Sequence, residues 1–236
     1  AVTAAGVRNL TVYKRLKAAV ITTGDELQNT DTWLEPGRIY DANGVWLCTR
    51  LKEMDCEVVR CQTAGDDREK IADEIRTAFK EADLILTTGG VSVGERDLLP
   101  DVIESLGGKI LFHGIQVKPG MPTMLSVVKK IPVLSLSGNP FAVEALFELL
   151  VGGYLTDQPE SRYEQKKQMK VLEQTFVKNG KLRQIVKGRC GESSVYLPQI
   201  QRNGQLKNGI GTNCLAVFPE GERMYPEGVE VPVIRI

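Results

Sequence analysis

The chain has 236 residues, of which 42% are hydrophobic and 25% charged. That is room for one large domain or two ordinary ones, and it excludes disorder and collagen-like repeats. Thirty basic residues balance thirty acidic ones, so no basic excess marks a protein that grips nucleic acid or an anionic membrane by charge.

The residue inventory narrows the chemistry further. His113 is the single histidine, which excludes a His-rich zinc site and leaves only one position around which a Ser-His-Asp triad could form. Five cysteines with no C-x-x-C pair read as reduced thiols of a cytoplasmic protein, not as a disulfide frame. No basic-then-apolar leader opens the chain, so secretion is not expected. Ala1 fits either a removed initiator Met or a cut from a longer polypeptide.

In chain order, residues 18–21 form a short apolar strand that ends at Thr22-Thr23-Gly24. Residues 43–54 carry Val45, Trp46, Leu47, Leu51 and Met54 near helical spacing, and 56–61 are β-rich. Residues 67–82 predict an amphipathic helix with Ile71, Ile75, Ala78 and Phe79 on one face, capped by Asp66 or Asp67. A fully apolar strand at 84–86 stops at Gly89-Gly90, and a helix over 96–106 ends at Gly107-Gly108. Strands follow at 110–117, 124–128 and 133–136, then a helix at 141–151 that is apolar nearly all round, which implies deep burial or a subunit interface. The weakly charged stretch 131–155 contains Pro132, Gly138, Asn139, Pro140, Glu144 and Glu148, so it reads as strand, turn and buried helix, not as a membrane span.

Apolar strands alternating with amphipathic helices predict an α/β domain, a doubly wound and mostly parallel sheet, over residues 16–153. A polar linker spans 154–169. From 170 to 236 five short strands, at 171–177, 182–187, 194–200, 214–218 and 230–236, alternate with Asn-Gly and Gly turns. They predict a small all-β domain, a sandwich or open barrel.

In open α/β sheets ligands bind outside the carboxyl ends of the strands. The unusual residues cluster there: Thr23-Gly24-Asp25-Glu26, Gly65-Asp66-Asp67, Thr87 to Gly94 with Asp97, Lys118-Pro119-Gly120, and Ser137-Gly138-Asn139-Pro140. The Gly89, Gly90, Ser92, Gly94 run is either a phosphate cradle at a helix N-terminus or a tight turn that needs positive φ. Ser137 to Pro140 is a second anion-site candidate, or ordinary capping by Asn139 with Pro140 at the first helical position. Asp25, Glu26, Asp66, Asp67 and Asp97 are hard ligands suited to Mg²⁺. The structural alternative is that Asp25 and Asp67 cap helices while Glu26 and Asp66 are solvated. Lys118, on a rigid Pro-Gly turn, is either an oxyanion partner or a surface lysine. His113, Trp33 and Trp46 read as packing residues.

Together these strings resemble the molybdopterin molybdenumtransferase family, bacterial MoeA and the gephyrin E domain. The matching strings are Thr23 to Leu27, Pro36-Gly37, Tyr40-Asp41-Ala42-Asn43, Gly65-Asp66-Asp67, Gly89 to Gly94 with Asp97, Lys118-Pro119-Gly120-x-Pro122 and Gly138-Asn139-Pro140, with a fainter echo at Val217 to Gly221. The resemblance implies a molybdopterin-binding fold followed by a C-terminal β-barrel. It implies Mg²⁺-dependent insertion of molybdate into adenylylated molybdopterin with release of AMP. It casts Asp66, Asp97 and Lys118 as catalytic, and Glu26, Asp67 and Asp97 as metal ligands. Thr23, Gly24, Asp25, Gly89, Gly90, Ser92, Gly94, Pro119, Gly120 and Ser137 to Pro140 would bind the pterin nucleotide. Met121 and Ser137 depart from the Lys and Pro of many members. The resemblance covers only the C-terminal half of the family, so a fragment of a longer protein, homodimeric when complete and inactive as this chain alone, is expected. An adenylyltransferase-like domain and a gephyrin-like peptide-binding scaffold are the alternatives.

Overall fold

A computed structural model describes residues 3–91, 98–158, 164–199 and 210–236. The α/β part contains β1 (Lys17–Thr23), β2 (Leu27–Gln28), β3 (Ile39–Tyr40), α1 (Ala42–Glu53), β4 (Glu57–Ala64), α2 (Arg68–Ala78), β5 (Leu84–Thr88) and α3 (Leu98–Ser105). It continues with β6 (Lys109–His113), β7 (Val117–Lys118), β8 (Met124–Val128), β9 (Ile131–Leu136), α4 (Pro140–Leu146), a π-helical stretch Phe147–Gly152 and α5 (Gly153–Thr156). The second part holds β10 (Lys167–Leu172), β11 (Phe176–Lys178), β12 (Arg183–Cys190), β13 (Ser194–Tyr196), β14 (Cys214–Phe218), β15 (Arg223–Tyr225) and β16 (Glu230–Arg235).

The first sheet runs β4-β1-β5-β9-β8-β6. Its first four strands are parallel, and β8 is antiparallel to both β9 and β6. β1 is buried at six consecutive positions and β5 at all five, as expected of central strands covered on both faces. On one face α2 and α3 bury Ile71, Ile75, Leu99 and Ile103 against Ile21, Ile85 and Val133. On the other, α1 and the helical run from Pro140 cover Val20, Leu86 and Leu136.

The second sheet closes on itself. The order β10-β16-β14-β12 is completed by β13, which pairs antiparallel with β12 and parallel with β10. The result is a five-stranded barrel around Phe176, Phe218, Val195, Leu197 and Val233, with the rings of Phe176 and Phe218 stacked 4.9 Å apart. The β-barrel that the resemblance implies is what forms, and it is closed, unlike the sandwich or open barrel expected from the strand pattern alone.

Four element readings are corrected as well. The strand expected over 110–117 is broken: Gly114 takes φ 94°, and Gly114 and Ile115 donate N–H bonds to the carbonyls of Thr123 and Met121. The chain then leaves the sheet, and Val117–Lys118 pairs instead with Arg183 and Gln184 on the barrel. The strand expected over 171–177 is two strands, β10 and β11, because Glu173 to Thr175 turn the chain between the barrel and a separate β11–β15 ribbon. α2 stops at Ala78, short of 82. The helix expected over 141–151 widens into a π-helix at Phe147.

The two parts share one core. Val117, Leu146, Phe147, Ile185, Leu215 and Ile234 belong to the same buried cluster. Trp46 meets Phe147 edge-on at 5.4 Å. Trp33, by contrast, is 96% exposed and is not a packing residue. Lys187 of β12 pairs with Glu144 of α4, and Arg50 of α1 grips the fully buried Glu148 at 2.5 Å. Among the described residues no helix is long and apolar enough to cross a membrane.

Phe147 sits between sheet and barrel and is fully buried. Phe147→Ala should lower stability by about 3–5 kcal/mol. Urea unfolding should remain one transition whether followed through Trp46 fluorescence or through the β signal of circular dichroism. Two separated transitions in the parent chain would show that the two parts do not share a core.

Candidate functional site

The four parallel strands end side by side at Ala64, Thr23, Thr88 and Leu136, in the order β4-β1-β5-β9. Their following turns are four of the five motifs singled out in the sequence, so the topology brings these together along one edge. The fifth, Lys118-Pro119-Gly120, leads into β8, whose first residue Met124 is registered with Ser135 of β9. Ser92, Gly94 and Asp97 lie outside the described residues.

The middle of the edge is built on close backbone approach. Gly89 has φ 87° and Gly90 φ 59°, and a Cβ on Gly89 would lie 2.4 Å from the Thr23 carbonyl oxygen. Glycine is required there on both counts. Thr23 is buried and donates its hydroxyl to the Thr88 carbonyl at 3.3 Å. The Gly89 N–H donates to the Leu136 carbonyl, so it locks β5 to β9 and is not itself a ligand donor. Gly138 approaches the Gly89 backbone, with ordinary contact to spare.

The Ser137–Pro140 turn opens α4 as its motif implies. Asn139 caps the helix by accepting from the Ala142 N–H at 3.3 Å, and Pro140 occupies the first turn. The Ser137 hydroxyl oxygen is buried with no hydrogen-bond partner among the described residues.

The carboxylates divide by role. Asp67 caps α2, accepting from the Lys70 N–H at 3.0 Å. Asp25 caps no helix. It reaches across to the next turn and accepts the Asp66 N–H at 3.0 Å, while Arg38 holds its carbonyl. Glu26 folds its carboxylate back over Gly24, and it and Asp66 are exposed. Among the described residues no three His, Cys, Asp or Glu side chains converge as a metal cage.

Two contributors were not assigned a role from sequence. Asp41 is buried and accepts hydroxyls from Thr22 at 2.6 Å and Thr63 at 3.2 Å, besides capping α1 through the Gly44 N–H at 2.9 Å. Asn43 donates its side-chain amide to the Gly138 carbonyl at 2.9 Å and so fastens α1 to the α4 turn. The signal was present in the Tyr40-Asp41-Ala42-Asn43 string, but its partners are 19 to 95 residues distant in sequence.

Lys118 is exposed on β7, and the turn behind it is rigid: Pro119 is buried, and Gly120 at φ 99° packs so tightly on Leu146 that a Cβ would meet it at 2.2 Å. His113, on the edge strand β6, has its Nε2 3.2 Å from the Val91 carbonyl oxygen.

A family model described as "Probable molybdopterin binding domain" matches residues 19–157. A molybdopterin molybdenumtransferase of Nostoc sp. (strain PCC 7120) is 30% identical over 95% of this chain and 54% of its own length. One from Staphylococcus epidermidis is 36% identical over 62% of this chain and 35% of its own. A solved molybdopterin biosynthesis moea protein from Pyrococcus horikosii superposes with a TM-score of 0.86 at 30% identity, covering 99% of this chain and 57% of that one. The chain thus spans about half the length of the curated relatives that match nearly all of it.

The contrast between two glycines tests the geometry of the edge. Gly89→Ala should cost at least about 2 kcal/mol from left-handed backbone and steric clash, whereas Gly138→Ala should cost under about 1 kcal/mol, since its Cβ meets only ordinary contact. Urea midpoints of the two variants measure the difference.

Proposed function

The chain belongs to the probable molybdopterin-binding domain family, and from that premise we propose that it holds the phosphate end of adenylylated molybdopterin along the carboxyl edge of its sheet. On this reading it serves molybdenum cofactor biosynthesis as part of a molybdenumtransferase. Molybdate is inserted at the pterin dithiolene and AMP leaves.

The observation that carries the reading is the convergence of Thr23, Gly89 and Gly138 on one backbone-lined edge, flanked by the exposed carboxylates of Glu26 and Asp66. A phosphate suits such an edge because glycine backbones permit close approach and the N-termini of α2 and α4 point toward it. Since the Gly89 N–H is spent on Leu136, the cradle is assigned to Gly90, Ser92 and Gly94. Ser137 to Pro140, Thr23, Gly24 and Asp25 line the nucleotide, and Pro119-Gly120 sets the wall from which Lys118 neutralises an oxyanion.

The oxygen-only donor set fits Mg²⁺, which takes one or two protein carboxylates and otherwise water and phosphate. Glu26 and Asp66 would hold it with Asp97, and Asp67 contributes beside its capping bond. When bound, Mg²⁺ neutralises the diphosphate charge. Asp25 orients the Asp66 turn through the Asp66 N–H. The complete protein is proposed to act as a cytoplasmic homodimer, with further domains closing the cleft.

Titration of this chain with adenylylated molybdopterin should show Mg²⁺-dependent binding, and Lys118→Ala should weaken it about tenfold without lowering the unfolding midpoint. Unchanged affinity removes Lys118 from the site. AMP release should be far slower for this chain alone than for the chain extended by the amino-terminal domains of a relative. Equal rates would make those domains dispensable.

A further inference from the structure

Four of the five cysteines face one another across neighbouring elements: Cys48 on α1 against Cys61 on β4, whose sulfur reaches the Gly44 carbonyl of α1, and Cys190 on β12 beside Cys214 on the paired strand β14. They differ in access. Cys190 and Cys214 are both buried in the barrel, on β12 and β14. Cys48 is buried on α1, but Cys61 is exposed on β4, the edge strand of the first sheet.

Helix geometry brings Cys61 to its partner. Gly44 lies one turn ahead of Cys48 on α1, and the Cys61 Sγ sits 3.8 Å from the Gly44 carbonyl oxygen. The Cys61 thiol donates to that carbonyl, and the neighbouring Cys48 side chain holds the Cys61 thiol below its ordinary value. Lys52 acts in the same direction, and burial and Asp41 oppose it. The neighbouring Cys61 side chain, together with burial, pushes the Cys48 thiol up. Cys56, buried and beside Asp55, is pushed up to about 11, and it stays protonated.

We propose that Cys48 and Cys61 are a peroxide-oxidisable dithiol, Cys61 attacking and Cys48 resolving, whose disulfide ties α1 to β4. The exposed Cys61 thiolate attacks one peroxide oxygen. An S–O bond forms, the O–O bond breaks, and the departing hydroxide takes a proton to leave as water, giving the sulfenic acid. The Cys48 sulfur then attacks the Cys61 sulfur. The S–S bond forms, the S–O bond breaks, and the Cys48 proton leaves with the hydroxyl as a second water. Two thiols lose two electrons and one peroxide gains them. The bond would lie behind the site, since the first turn of α1 carries Asn43, which holds the Gly138 carbonyl, and β4 leads into Gly65-Asp66-Asp67.

The test treats the folded chain with hydrogen peroxide, alkylates it with iodoacetamide in denaturant and maps the peptides by mass. An intrachain Cys48–Cys61 disulfide is expected, with two of the five thiols lost and Cys56, Cys190 and Cys214 alkylated. Dithiothreitol should restore all five. In Cys48→Ser, dimedone should label Cys61 as the trapped sulfenic acid. In Cys61→Ser, Cys48 should stay a free thiol. Five free thiols after peroxide, a disulfide joining two chains, or oxidation of Cys61 straight to sulfinic acid in the parent chain would each overturn the proposal.

Discussion

The helical run from Pro140 to Thr156 is buried between the sheet and the barrel, and the rest of the structure is arranged around that burial. Its sequence is apolar on nearly every side, with Ala142, Val143, Ala145, Leu146 and Phe147 all essentially inaccessible to water. Such a helix needs partners on all faces. The sheet and α1 supply some of them, and Ile185, Leu215 and Ile234 of the barrel supply the others. The two charges it carries inward are each met: Glu144 by Lys187, and Glu148 by Arg50. A fully buried carboxylate left alone would be strongly destabilising, so Arg50 is as much a condition of this packing as Phe147.

The same run starts at the candidate site. Asn139 caps it, Gly138 touches the Gly89 backbone, and Gly120 packs on Leu146 about two turns further on. The edge turns are therefore held by the core and not by one another alone. Asp41 and Asn43 do the equivalent for α1, the first by a buried set of hydroxyl and N–H bonds, the second by a single bond to Gly138. Two of the edge turns pass straight into a capped helix, Asp67 opening α2 and Asn139 opening α4, a construction suited to keeping backbone groups at fixed positions.

Much of this was legible in the sequence because the signals were local. The continuous apolar runs of β1 and β5, the periodicity of Ile71, Ile75 and Ala78, and the Asn139-Pro140 capping pair all act within a few residues, and each appears where expected. What escaped was decided at long range. Nothing within residues 110–118 says that Val117 and Lys118 should abandon the first sheet for the barrel, because their partners, Arg183 and Gln184, come much later in the chain. Barrel closure hangs on two registered residues of β13 against β10. Trp33 was expected to pack on grounds of residue type, yet its loop has no neighbour to receive it among the described residues, and the ring stands in solvent. At the candidate site, the gathering of four strand-end motifs along one edge was legible. The division of labour among carboxylates was not, because Asp25 finds the Asp66 N–H only once β1 and β4 are paired.

On the proposed reading, the carboxyl edge between β1, β5 and β9 receives the phosphate end of a molybdopterin nucleotide. A crystal structure of this chain with adenylylated molybdopterin and Mg²⁺ tests it most directly. The expected result places the diphosphate within hydrogen-bonding distance of backbone N–H groups after Gly89 and against the Ser137–Pro140 turn, with Lys118 facing it. A nucleotide bound at the barrel, or on the α2–α3 face with this edge untouched, would contradict it.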